Sequence, residues 1–145
     1  MFLHVKLQQP VYVHQVPGFP LDDPKKVLQI LAALYGLCQS VFEFYTLFLS
    51  LILNLGMVRC EVDHGVFIGV WFSPPDPSVS VMPNGCPLVL YIPLYVDDGL
   101  GITNSPSLYH WFLSTLAKCL HIVDLGPCLK CLSIVIICDH PQCRL

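Results

Sequence analysis

Two adjacent carboxylates, Asp97 and Asp98, are the residues of this chain whose type and spacing most directly indicate chemistry. An apolar run over residues 88–94 precedes them, and a second one over residues 100–103 follows Gly99. This pattern predicts a β-hairpin with the two aspartates and Gly99 in its turn. Carboxylates held together at a hairpin tip repel each other unless a cation lies between them, and such oxygen ligands suit Mg²⁺. The pair therefore predicts a divalent-metal site, with a solvated acidic turn as the alternative that the motif alone leaves open.

Prolines, glycines and polar residues divide the chain into the elements that must position this hairpin. Helices are predicted from Asp23-Pro24 to about Leu34, over residues 41–55 with Gly56 as the stop, and from Ser105-Pro106 to about Cys119. Strands are predicted over residues 11–13, 58–61, 66–72, 121–124 and 132–137, in addition to the hairpin, and a turn over residues 17–20. Residues 73–87 hold five prolines and are predicted to form a loop. Antiparallel strands with helices packed on one face predict an α+β fold in one domain, residues 1–145.

The composition is more apolar than that of a typical domain. Hydrophobic residues make up 54% of the 145 residues and charged residues only 12%, against about a quarter in ordinary globular domains. The net charge is −3 and the seven Lys and Arg residues are scattered. Proteins that bind nucleic acid through its phosphates carry a basic stripe, and no such stripe is visible in this sequence.

The most apolar stretch, residues 41–58, raises the question of a membrane segment. It is interrupted by Glu43, Asn54 and Gly56, whereas a bilayer-spanning helix needs about twenty apolar residues and few charges. We therefore expect a buried amphipathic helix, with a membrane-associated one as the alternative. The N-terminal residues show no secretory signal pattern.

Eight cysteines raise the question of a zinc site or of disulfides. Cys128 and Cys131 have the C-x₂-C spacing of a zinc knuckle, but the second knuckle would be the irregular set Cys138, His140 and Cys143. Residues 132–137 between the two sets are predicted to be a buried strand. Free cysteines that pack as small apolar side chains are the favoured interpretation, and zinc or disulfides are the alternatives.

Five blocks of the chain resemble copia-type LTR retrotransposon reverse transcriptases, and they occur in the family's order. They are residues 11–19 (VYVHQVPGF), 33–40 (ALYGLCQS), 61–68 (EVDHGVFI), 95–98 (YVDD), and 124–127 (DLGP) together with 132–134 (LSI). The first resembles the family's V-Y-M-x-Q-P-P-G-F segment, the second its A-L-Y-G-L-K-Q block, and the fourth its Y/H-V-D-D box. The insert over residues 73–87 suggests a fungal element.

The resemblance implies a partial polymerase palm with part of the fingers, and RNA-directed DNA polymerase chemistry. In that reaction a primer hydroxyl attacks a nucleotide phosphate, and two Mg²⁺ (or Mn²⁺) ions stabilise the attacking and leaving oxygens. Asp97 and Asp98 match the catalytic carboxylates that hold the metal. The partners implied are an RNA or DNA template-primer, a dNTP and the rest of the polyprotein (upstream fingers and palm, thumb and ribonuclease H), with no membrane.

Four further residues are candidates for substrate binding by the same resemblance. Tyr95 and Val96 would shape the strand beneath the primer end, and Gln39 and Gly36 would lie near the nucleotide. The alternatives are core packing for Tyr95 and a solvated loop for Gln39. The implied location is the cytoplasm, in virus-like particles, or the nucleus, and not the secretory route.

Departures from the family pattern predict that this chain alone does not polymerise DNA. The family's third metal carboxylate is expected four residues before the position that Met1 holds, outside this chain. Cys38 stands where the family has lysine, and Phe42 where it has arginine. A non-catalytic interaction module derived from the palm, or a small membrane-associated protein that uses residues 41–58, are therefore the alternative functions.

Overall fold

The structure, a computed structural model, describes residues 3, 5–19, 21–23, 25–96, 98–131 and 133–137. Two α-helices and three antiparallel sheets form in this part of the chain. The helices are α1 (Cys38–Asn54) and α2 (Pro106–Leu116). The strands are β1 (Lys6–Val13), β2 (Leu28–Ala32), β3 (Val58–Arg59), β4 (Val66–Trp71), β5 (Leu88–Tyr95), β6 (Asp98–Gly99), β7 (Ile102–Thr103), β8 (Lys130–Cys131) and β9 (Ile134–Val135).

The central sheet is built around β4 and β5, whose six-residue register is uninterrupted. β3 pairs with the far side of β4, while β6 and then β7 pair with the free side of β5. Side chains alternate between the two faces of a strand, so cross-strand partners share a face. Phe67 opposite Ile92 and Gly69 opposite Leu90 lie on the buried inner face, and Ile68 opposite Tyr91 lies on the outer face.

Both helices cover the inner face of this sheet. The buried side chains of α1 include Phe44, Phe48 and Ile52, spaced four residues apart on one side of the helix. Those of α2 are Leu108, Phe112 and Leu116, with the same spacing. Together with the inner strand residues they form one hydrophobic core, in which the Phe48 and Phe67 rings meet edge to face at 5.4 Å between centroids. The expected α+β fold with an antiparallel sheet is confirmed.

The helix predicted over residues 23–34 is wrong, because the described residues of this segment form a turn followed by β2. The Asp23 carboxylate accepts a hydrogen bond from the Lys25 N–H at 2.9 Å, which closes an Asx turn instead of capping a helix. The Gln15 side chain holds the same turn, since its Nε2 donates to the carbonyl oxygens of Asp23 at 2.6 Å and Lys26 at 2.9 Å. β2 then pairs antiparallel with β1, with Val11 opposite Ile30 and Val13 opposite Leu28.

The prediction for the C-terminal part of the chain is also largely wrong. Residues 121–126 form no strand, and β8 and β9 make only a two-residue hairpin with Ser133 at a φ of 69° in its turn. Ile134, Val135 and Ile137 are exposed, so the predicted burial of this run is wrong for them. Leu132 and residues 138–145 lie outside the described residues. Residues 73–87 carry one short 3₁₀ turn, Pro83–Gly85, and no strand or α-helix.

The expected helix over residues 41–55 is confirmed as α1, which ends before Gly56 at a φ of 78°. Among the described helices, none combines the length and the apolar character that crossing a bilayer requires. The apolar side of α1 is used inside the protein, against the sheet. The predicted helix opening at Ser105-Pro106 is confirmed as well, since the Ser105 hydroxyl caps α2 by accepting from the Leu108 N–H.

Candidate active site

The hairpin that carries the two aspartates is formed by β5 and β6. Tyr95 pairs with Asp98 and Leu94 pairs with Gly99, so the chain reverses between Tyr95 and Asp98. The turn therefore lies one residue earlier than the sequence predicted, and Asp98 belongs to a strand. Asp97 lies outside the described residues. The sequence predicts the hairpin correctly but places Asp98 and Gly99 in its turn, whereas both belong to β6.

Val96 takes up the tight geometry of this turn, with a φ of 55°. Two-residue hairpin loops need positive φ because only such turns match the right-handed twist of the strands. Glycine or asparagine normally occupies such a position, and a β-branched side chain there is strained. The Val96 side chain is half-buried and packs against the hydrophobic core, which holds the residue in place. The backbone just before the aspartates is thus strained at Val96, and the packing of the Val96 side chain against the core holds it in that conformation.

Asp98 lies at the end of the sheet, opposite Tyr95 and at the rim of a cavity that the helices also line. Its cross-strand partner Tyr95 lies on the same outer face of β5 as Tyr91, and it is 62% exposed. The Asp98 carboxylate is exposed and makes no hydrogen bond or ion pair with another described residue. It is therefore free to bind a cation or to remain hydrated. The exposure of Tyr95 rules out the alternative that this side chain is a core residue.

The described residues do not by themselves assemble a complete metal centre. No group of three or more His, Cys, Asp or Glu side chains suited to holding an ion occurs among them. Asp98 and its sequence neighbour Asp97 can supply at most two carboxylates. Such a donor set fits a hydrated Mg²⁺ that keeps several waters and shares substrate phosphates, and not a closed protein cage.

Gly36 and Gln39 lie at the start of α1, beside the two-stranded sheet. The Leu37 N–H donates to the Leu34 carbonyl at 3.3 Å, and Gly36 has a φ of 89° in this turn, a conformation that favours glycine. Gln39 is half-buried and its Nε2 donates to the Gln9 carbonyl at 3.5 Å. These contacts explain both residues structurally, and their role near a nucleotide stays a prediction.

A cavity of about 880 Å³ lies behind the hairpin, between Asp98–Gly99, α2 and residues 121–131. No motif in the sequence predicts this cavity. The Tyr109 ring in this cavity packs where a side chain on Gly101 would otherwise lie. Partial burial, and then the nearby charge of Asp124, raise the pKa of the Tyr109 hydroxyl above its usual value. The only sequence signal for this contact is the glycine inside an apolar strand segment, which indicates a close approach.

The cysteines give no support to a zinc site in the described part of the chain. Cys128 and Cys131 are free thiols beside the cavity, and the Cys128 Sγ contacts the Lys130 carbonyl at 3.6 Å. Cys138, His140 and Cys143, which would complete the second knuckle, lie outside the described residues. The expectation that the cysteines pack as small apolar side chains inside the core is wrong for the described ones, since none of them is buried: Cys38, Cys86 and Cys119 are exposed, and Cys60, Cys128 and Cys131 are half-buried.

Comparison with known proteins decides the family. A family model for reverse transcriptase (RNA-dependent DNA polymerase) matches residues 1–145. The chain belongs to the reverse transcriptase family. It is 30% identical over 126 residues to a transposon Ty5-1 protein of Saccharomyces cerevisiae, covering 86% of this chain and 36% of that protein. It is 33% identical over 124 residues to a retrovirus-related Pol polyprotein from transposon RE1 of Arabidopsis thaliana, covering 85% of this chain and 8% of the polyprotein.

These matches confirm the copia-type resemblance found in the sequence blocks. This reverse transcriptase chain spans only a part of each relative, 36% of one and 8% of the other. No solved structure is a significant match. The match to the reverse transcriptase family covers residues 1–145, and it therefore includes the hairpin in which Asp98 pairs with Tyr95.

Proposed function

We propose that this chain supplies the part of a polymerase palm that holds divalent metal for RNA-directed DNA synthesis. The observation that carries the proposal is the β5–β6 hairpin, which leaves Asp98 exposed at the end of the sheet, opposite Tyr95. An RNA or DNA template-primer and a dNTP would approach from the outer face of the sheet, because the helices occupy the other one.

Asp98 and Asp97 would hold the ion from the two positions that follow Val96. Divalent ions bound there would stabilise the attacking and leaving oxygens of a nucleotidyl transfer. Tyr95, exposed beside Asp98, would support the primer end. The strain at Val96 supports this role, since strained backbone persists where the surrounding structure holds it and often occurs at functional sites.

The chain by itself is proposed to be inactive as a polymerase. A two-metal site needs more carboxylates than the hairpin offers, and no third one joins it among the described residues. Cys38 and Phe42, at positions where the family has lysine and arginine, are both exposed and uncharged. These two positions therefore supply no cation that would neutralise phosphate. We expect Mg²⁺ to bind in the millimolar range or more weakly.

Binding of Mn²⁺, followed by electron paramagnetic resonance of the free ion, tests the metal role. We expect the chain to take up Mn²⁺ weakly, and Asp98→Asn to lose at least tenfold in affinity. Asp22→Asn is the matched control, because Asp22 is also exposed but lies in the loop between β1 and β2. Equal Mn²⁺ uptake by both variants would refute the proposed metal role.

A primer-extension assay tests the proposed inactivity separately. Purified chain, a primed RNA template, dNTPs and either Mg²⁺ or Mn²⁺ should give no template-dependent product. Incorporation that disappears in Asp98→Asn would show that the chain is a complete polymerase, and the argument from the missing carboxylate would then be wrong.

A further inference from the structure

The pairing that ties Asp98 to the central sheet is interrupted just beyond Gly99. β6 is two residues long, and it pairs with the same strand, β5, as β7 does. Both pairings keep one register, which therefore continues through the two residues between them, Leu100 and Gly101. Leu100 is thus opposite Pro93, and neither Leu100 nor Gly101 belongs to a strand.

Pro93 causes the interruption, because proline has no N–H to donate. The Leu100 N–H donates to the Pro93 carbonyl at 3.0 Å. Opposite residues of such an antiparallel pair normally exchange two hydrogen bonds, and the second one, from residue 93 to the Leu100 carbonyl, cannot form. The strand that carries Asp98 is therefore held to the sheet by one hydrogen bond fewer than its register allows.

The Tyr109 ring packs against the same interruption from the helix side of the sheet. It lies so close to Gly101 that a Cβ on this glycine would overlap the ring. The helix that carries Tyr109 is itself fixed, because the Ser105 hydroxyl caps its N-terminus and Leu108 and Phe112 are buried in the core. The ring is therefore held against the backbone of the interrupted strand by an element that is anchored elsewhere.

We propose that Tyr109 is a positioning residue for the metal-binding hairpin. Its ring packs on Gly101 and replaces the support that the missing hydrogen bond of Pro93 would give. The hairpin needs this support from outside, because its own turn is strained at Val96. Tyr109 acts through the strand backbone and is not a ligand of the ion. This role rests on the proposed metal site at Asp98, and it adds a residue outside the hairpin on which that site depends.

Mn²⁺ binding, followed by electron paramagnetic resonance of the free ion, tests whether the metal site depends on this ring. Tyr109→Ala should weaken Mn²⁺ binding by about three- to tenfold, because the apparent affinity falls with the fraction of molecules in which the strand that carries Asp98 stays paired. Tyr109→Phe should bind like the unmodified chain, since the ring and not the hydroxyl makes the contact. Trp111→Ala is the matched control: Trp111 is a half-buried aromatic residue of the same helix, and its ring contacts Trp71 instead.

Hydrogen exchange of the Leu100 amide gives a second readout that needs no metal. This N–H bonds to the Pro93 carbonyl, so its exchange rate reports how often the strand leaves the sheet. Tyr109→Ala should raise that rate by a similar factor relative to the amides of β4, and Trp111→Ala should not. Pro93→Ala restores the missing donor, and in this background Tyr109→Ala should change the rate much less. Gly101→Ala is a second variant if Tyr109→Ala does not fold, because its Cβ would displace the ring.

Circular dichroism checks that each variant keeps its fold. Mn²⁺ binding and Leu100 exchange that Tyr109→Ala and Gly101→Ala leave unchanged would overturn the positioning role. So would equal changes in Trp111→Ala, because the Tyr109 ring would then act only through overall stability. An unmodified chain that takes up no Mn²⁺ would instead overturn the metal role of Asp98, and Leu100 exchange would still decide whether the ring holds the strand.

Discussion

Replacing Val96 by glycine tests the strained hairpin that presents the aspartates. At a φ of 55°, valine carries about 1–2 kcal/mol of backbone strain that glycine would not. The glycine variant loses about 0.5–1 kcal/mol of stability, because glycine has more conformational freedom in the unfolded chain. It also loses about 1 kcal/mol of packing, because the Val96 side chain is half-buried against the core. The three effects nearly cancel, so Val96→Gly should leave the free energy of unfolding almost unchanged.

Val13→Gly is the matched control for this substitution. Val13 lies in extended backbone at the end of β1, opposite Leu28, and it is exposed. Glycine at this position brings the same entropic cost and a smaller loss of packing, and no backbone strain is relieved. The Val13→Gly variant should therefore be destabilised by about 1–1.5 kcal/mol.

Urea unfolding, followed by tryptophan fluorescence, measures both variants. The Trp71 and Trp111 rings meet edge to face at 6.0 Å between centroids, so their fluorescence should report loss of the core. Val96→Gly should remain at least as stable as Val13→Gly. A Val96→Gly variant that loses 2 kcal/mol or more would show that Val96 is not strained in solution, and the hairpin geometry would need revision.

Three further predictions concern the core, the cap of α2 and the effect of pH. A side chain on Gly69 would overlap the Trp71 indole, so Gly69→Ala should cost about 1–3 kcal/mol of unfolding free energy; the same change in a Trp71→Leu background should cost much less, and equal costs would contradict the contact. Ser105→Ala removes the N-cap of α2 and should cost about 1 kcal/mol by urea unfolding, and no loss would mean that the cap does not form. Because the folded pKa of Tyr109 lies above the unfolded value of about 10, the contribution of this group to stability is full below pH 10 and falls as the pH rises toward the folded pKa. Urea midpoints between pH 8 and 11 should show this fall in the unmodified chain and a smaller one in Tyr109→Phe, and identical profiles would contradict the assignment.

The elements that the sequence predicted correctly have local causes. α2 begins at Ser105-Pro106 because the serine hydroxyl caps the first turn and proline fits the first helical position. β4 and β5 are long apolar runs bounded by turn residues, and they pair over six residues. The hairpin that carries the aspartates is predicted by the same two features, an apolar run and the turn residues that bound it.

The elements that the sequence predicted wrongly depend on partners far along the chain. Asp23 gave a helix-start signal, but its carboxylate closes a turn that the Gln15 side chain also holds. β2 exists because β1, more than ten residues earlier, offers it backbone partners. The one-residue error in the hairpin has another cause, since the twist of the strands placed Val96 in the turn against its own conformational preference.

Titration of the isotope-labelled chain with Mg²⁺, followed by backbone amide NMR, tests the central claim most directly. The claim is that the hairpin at residues 95–99 holds a divalent ion through Asp97 and Asp98. It predicts amide shifts confined to this hairpin that saturate at millimolar Mg²⁺ and vanish in Asp97→Asn and in Asp98→Asn, while Asp22→Asn behaves like the unmodified chain. Shifts that persist in both hairpin variants, or a well-dispersed spectrum with no shift at the hairpin, would contradict it.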